Sequence, residues 1–135
     1  MIFPPSTIAH PPPEPKHHAQ SIWRTRDRAP QVHQWQADGA DFVLVDVREP
    51  PEYAVSIQAD NVLYLPLSRL AQYQTDAIPD DLADKEQQIV VFCHHGIRSA
   101  QVVMWLRQQG WTNVLNMAGG IEAWANEVDS SVGFY

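Results

Sequence analysis

The chain has 135 residues, 44% hydrophobic and 19% charged, which suits one packed domain and excludes a wholly disordered or fibrous chain. Nine Lys and Arg against sixteen Asp and Glu leave a net charge of −7, the wrong sign for holding nucleic acid or an anionic membrane. No apolar run nears the roughly 18 residues of a membrane span, and no secretory signal is recognisable, so a cytoplasmic domain is expected. Cys93 is the one cysteine, which excludes an intramolecular disulfide and a zinc site of several thiolates.

Pro4, Pro5, Pro11, Pro12, Pro13 and Pro15 crowd the N-terminus, so residues 1–20 are expected to form an extended arm outside the core. His10, His17 and His18 lie in this arm without fixed spacing or supporting carboxylates, and no metal is expected there. Residues 21–135 read as the folded domain. A short helix is predicted over 30–38, with Pro30 in its first turn, Gly39 at its stop, and Val32 and Trp35 facing inward. Phe42 to Val47 is a continuous apolar run up to Asp46, as in a strand covered on both faces. A helical turn at Pro50–Tyr53 follows, then a strand over Val62–Leu65 ended by Pro66. Helices are predicted over Leu67–Tyr73 and, briefly, Pro79–Lys85. Gln88 to Phe92 reads as a third, buried strand. Val102, Val103 and Leu106 mark a helix over 99–109 with Gly110 as its stop. Asn113 to Asn116 is a fourth strand and Gly119 to Val128 a last helix. Strands alternating with helices imply an α/β fold, a parallel sheet between two helical layers.

The stretch richest in chemistry runs from Cys93 through His94, His95, Gly96, Ile97 and Arg98 to Ser99. It follows a buried strand, and ligands of open α/β sheets bind beyond the carboxyl ends of strands. A loop curling into a helix can turn its backbone N–H groups inward as an anion cradle. Gly96 permits the tight path, and the helix behind it aims its positive end at the same spot. Arg98 adds a charge, and His94 and His95 add donors. Such surroundings favour the thiolate, the nucleophilic form of Cys93. The alternative is an inert buried thiol. Neighbouring histidines are expected to point in different directions, with at most one facing the sulfur. Phosphatases with a catalytic cysteine place five residues between Cys and Arg. Here there are four, a narrower cradle that favours a single sulfur atom over a phosphate.

Four stretches then resemble the rhodanese family of sulfurtransferases: Asp46-Val47-Arg48-Glu49 with Glu52-Tyr53, Leu65-Pro66-Leu67, Cys93 to Ser99, and Gly119-Gly120-Ile121-Glu122-Ala123-Trp124. They lie within a motif-bearing part of about 38–131. The resemblance implies the rhodanese fold, a mostly parallel five-stranded sheet flanked by helices. It also implies a Cys93 persulfide, formed from a small sulfur anion such as thiosulfate and passed to a thiol or protein acceptor, with no cofactor. One departure stands out: residues 55–62 lack the family's usual His and Gly. Asn61 is expected to take the left-handed conformation in place of the Gly. Asp46 and Arg48 are expected to fix the loop as scaffold, and the tryptophans to pack the core. A cysteine phosphatase or arsenate reductase on the related fold is the rival enzyme. A non-catalytic rhodanese-like module or a sulfur-relay protein is the rival of another class.

Overall fold

The computed structural model describes residues 26–135, so the expected N-terminal arm and Trp23 lie outside the described residues. In chain order the elements are β1 (Arg26–Arg28), α1 (Ala29–Ala37), β2 (Val43–Asp46), β3 (Val62–Tyr64), α2 (Leu67–Tyr73), β4 (Ile89–Phe92), α3 (Ile97–Gln108), β5 (Val114–Ala118) and α4 (Gly120–Glu127). The strands form one sheet in the order β1-β5-β4-β2-β3. Every pairing in it is parallel. This is the α/β architecture expected, with five strands. Among the described residues no helix is long and apolar enough to cross a membrane.

Alternation along the central strands divides the core in two, because successive side chains of a strand point to opposite faces. Val45, Val47, Ile89, Val91 and Cys93 face α2 and α3, with Leu70, Val102, Val103 and Leu106 packed against them. Leu44, Val90, Phe92, Leu115 and Met117 face α1 and α4, where Val32, Trp35, Ile121 and Trp124 close the second layer. Cys93 therefore shares a face with Ile89 and Val91 and ends up under the first turn of α3.

Several expectations shift by one or two residues, and three change in kind. β1 was not foreseen: Arg26-Asp27-Arg28 is charged, short and at the sheet edge, so it carries no apolar pattern, and pairing with Asn116–Ala118 alone makes it a strand. The helix predicted over Pro79–Lys85 is a single 3-10 turn, Asp80–Leu82. Asn61 is not left-handed; among the described non-glycine residues only Gln74 has positive φ. Asn61 instead ties down the loop with its side chain, donating to the Phe42 carbonyl at 3.2 Å and accepting from Gln36 Nε2 at 3.0 Å.

Beyond β2 the chain turns through a buried ion pair. Asp46 and Arg48 are 1% and 0% exposed. Arg48 Nη2 donates to Asp46 Oδ2 at 2.8 Å and Nε to Oδ1 at 3.0 Å. Its remaining Nη1 donates to the Glu52 carbonyl at 3.0 Å and to the Tyr135 hydroxyl at 3.1 Å. Removing one member of such a pair leaves an uncompensated buried charge. Asp46→Ala is expected to lower the unfolding free energy by about 3 kcal/mol or more in urea titrations. A loss below about 1 kcal/mol would mean that the pair behaves like a surface contact.

Candidate active site

The carboxyl ends of β2, β4 and β5 meet around Cys93, which leaves β4 and is 1% exposed. Gly96 turns the chain with φ 102°, in the left-handed region that favours glycine, and α3 starts at the next residue. Arg98, expected in the loop, thus belongs with Ser99 to the first turn of α3. The Gly96 N–H lies 3.1 Å from Cys93 Sγ, and the Ser99 N–H and Oγ each lie 3.4 Å away. Burial pushes the thiol up. The Ser99 hydroxyl and the N–H groups of Ser99, Gly96 and His95 more than offset it, and Cys93 ends below its ordinary pKa.

The Ser99 hydroxyl is itself held from behind. Its oxygen is 2.5 Å from Asn116 Oδ1, while Asn116 Nδ2 donates to the Gly96 carbonyl at 3.0 Å. One hydroxyl proton serves either Asn116 or the sulfur, so a full thiolate competes for it. Asn116 lies on β5, and nothing in its local sequence shows that it reaches α3.

The other side of the loop rests on α4. Ile121 N–H donates to the Cys93 carbonyl at 2.8 Å, and Glu122 N–H to the His94 carbonyl at 3.1 Å. These are first-turn helix donors with no partner inside the helix. The approach is so close that a Cβ on Gly120 would collide with the carbonyl oxygens of Cys93 and His94. Gly120 therefore serves this backbone contact.

Arg98 does not stand free. Its Nη1 and Nη2 each donate at 2.8 Å to the two carboxylate oxygens of Glu52, a planar two-point pair. The same carboxylate accepts from Glu49 N–H at 2.9 Å and from the Tyr135 hydroxyl at 2.7 Å. The bond to Arg98 holds the Glu52 carboxyl down at about 2 against a burial cost. Much of the Arg98 charge expected to act on an anionic ligand is thus spent on Glu52.

His94 and His95 also differ from expectation. Their rings stack at 3.9 Å, and the Tyr135 ring stacks on the other face of His94 at 3.8 Å. Both imidazoles present Nε2 to Glu122 Oε1, at 3.7 Å for His94 and 2.9 Å for His95. Adjacent side chains share a direction here because the stack and one carboxylate hold them together. Burial, then His95, lowers the His94 pKa. Ile97 turns away from the sulfur and is 72% exposed.

Residues 29–127 match the family model of the rhodanese-like domain. The chain belongs to the rhodanese-like family. A protein from Allochromatium vinosum named sulfurtransferase is 42% identical over 89 residues, 66% of this chain and 77% of that one. A thiosulfate sulfurtransferase GlpE from Coxiella burnetii is 37% identical over 84 residues, 62% of this chain and 72% of its own. The crystal structure of a rhodanese-related protein from Thermoplasma volcanium superposes with a TM-score of 0.61 at 27% identity, covering 76% of this chain and 92% of that one. Proteins named sulfurtransferase are thus among the relatives that this rhodanese-like chain resembles.

In this rhodanese-like chain, the role of Glu52 has no local signal in the sequence. It lies 46 positions from Arg98, and only the fold brings the two together. Its folded pKa of about 2, below the ordinary 4.5, means that the ionised form stabilises the fold. That stabilisation is fully present above about pH 4.5 and is lost as pH falls toward 2. Urea unfolding of the wild type and Glu52→Gln is expected to show a difference that is constant near neutrality and shrinks across this acid window. A difference independent of pH down to the acid limit would show that the carboxylate charge is not what Arg98 uses.

Proposed function

We propose that this rhodanese moves sulfane sulfur from thiosulfate or a persulfide to a thiophilic acceptor through a persulfide on Cys93. The observation that carries the reading is the cradle: a thiol with N–H groups of Gly96 and Ser99 at 3.1 and 3.4 Å, closed by only four residues between Cys93 and Arg98. The relative named thiosulfate sulfurtransferase supports the choice of donor.

The cycle needs two displacements. The Cys93 thiolate attacks the outer sulfur of thiosulfate, the S–S bond of the donor breaks, and sulfite leaves with the electron pair. The outer sulfur of the Cys93 persulfide now carries the charge, which the fixed N–H dipoles of the loop stabilise. An acceptor (cyanide in an assay, a thiolate or a protein thiol in the cell) attacks that sulfur and expels the Cys93 thiolate, which restores the enzyme. Double displacement gives ping-pong kinetics. Within this cycle Cys93 is the catalytic residue and Ser99 a direct donor to its sulfur. Asp46, Arg48 and Arg98 are positioning residues, because their charged groups are committed to Asp46–Arg48 and Arg98–Glu52 contacts. A free thiol as nucleophile suits a reducing compartment such as the cytoplasm.

Intact-mass measurement after incubation with thiosulfate is expected to show the wild type heavier by one sulfur atom, with the gain removed by cyanide. Cys93→Ser is expected to show neither gain nor thiocyanate formation. Thiocyanate formation by Cys93→Ser would refute the persulfide route. Cys93-dependent hydrolysis of an aryl phosphate, without sulfur uptake, would assign the site to phosphate chemistry instead.

A further inference from the structure

We propose that His94, His95 and Glu122 form a binding site for a zinc-class divalent cation at the rim of the Cys93 loop. The three residues offer two imidazole nitrogens and a carboxylate oxygen, all within 4.8 Å of one another. Zinc takes imidazole nitrogen at about 2.0–2.1 Å and carboxylate oxygen at about 2.0–2.2 Å, which sets neighbouring ligand atoms about 3.4 Å apart. The separations of Glu122 Oε1 from the Nε2 atoms of His95 and His94, 2.9 and 3.7 Å, bracket that value. The donor set is a borderline one, nitrogen-rich with a single carboxylate, which favours zinc or copper over magnesium or calcium.

Both imidazoles lie on the same side of the loop, the His94 ring between those of His95 and Tyr135 at 3.9 and 3.8 Å. Stacked rings direct their nitrogen lone pairs side by side, so binding turns one imidazole out of the stack and onto the ion. Glu122 is fixed through its own N–H to the His94 carbonyl at 3.1 Å, so the carboxylate and the loop share one anchor. The proton now shared between His95 Nε2 and Glu122 Oε1 would be displaced by the cation, as expected when a metal takes a hydrogen-bonded imidazole. Three protein ligands leave a coordination position for water or an anion, the open type of zinc site. The side chains of His95 and Glu122 are 54% and 44% exposed, so the ion has a path from solvent.

Sequence reading expected no metal, because the single cysteine and the tail histidines gave no ligand spacing. The third ligand lies 27 residues from His95, on another element. The inference does not depend on sulfur transfer, since none of its three ligands is Cys93.

Zinc titration of the full chain carrying Cys93→Ser, followed by calorimetry and by NMR of the histidine rings, tests it directly. The His94 and His95 ring signals are expected to shift with the first equivalent of zinc. Glu122→Gln and His95→Ala are each expected to weaken that step by at least about tenfold. Should Cys93→Ser fail to fold, the wild type with its thiol alkylated takes its place. Three results would overturn the site. Ring shifts could be confined to His10, His17, His18 or His33. Uptake could vanish when the thiol is removed. Affinity could be unchanged in Glu122→Gln.

Discussion

The candidate site depends on the contact between the start of α4 and the backbone of the Cys93 loop. Two N–H groups that the helix cannot use, those of Ile121 and Glu122, are spent on the carbonyls of Cys93 and His94. With the His94 carbonyl turned outward to α4, the N–H of the same peptide, that of His95, turns the other way, toward the sulfur. Gly120 makes this possible, since any Cβ there would occupy the space of the two carbonyl oxygens. An alternating pattern of side chains along β4 supplies the other half: Cys93 falls on the face that α3 covers, so the first turn of α3 closes over it.

Opposed forces then meet at one atom. Burial of Cys93 disfavours the thiolate, and hydrogen bonds from Ser99, Gly96 and His95 outweigh that cost. Little of this comes from a free cation. Arg98 is committed to Glu52, and Arg48 to Asp46, so the two arginines brace the walls while neutral N–H dipoles face the sulfur. Such dipoles are fixed by the backbone, do not bring a counter-charge that a persulfide must displace, and fit a small soft anion. The same bracing reaches the C-terminal segment, where the Tyr135 hydroxyl bridges Glu52 and Arg48 and its ring supports His94.

What the sequence displayed was whatever depends on short-range pattern. The apolar runs of β2 and β4, the helix stopped by Gly110, and the position of Cys93 at a strand end are all local, and they were legible. What it hid was pairing over distance. Glu52 meets Arg98 across 46 residues, and Ser99 meets Asn116 across 17. β1 is a strand only because β5 offers it an edge. The shared direction of His94 and His95 depends on Tyr135 and Glu122, neither of which is a sequence neighbour. Asn61 shows another kind of gap. Its type was compatible with a left-handed backbone, yet its amide found better use bonding Phe42 and Gln36.

The most direct test of the central contact is kcat/KM for thiosulfate-to-cyanide sulfur transfer in Gly120→Ala, compared with wild type under conditions where near-ultraviolet circular dichroism shows both folded. The added methyl must push the Cys93 and His94 carbonyls away from α4 and turn the loop's N–H groups off the sulfur. A loss of at least about tenfold is expected, the effect of weakening one oxyanion-type donor or more. Wild-type kcat/KM in folded Gly120→Ala would contradict the claim that α4 sets the geometry of the thiolate.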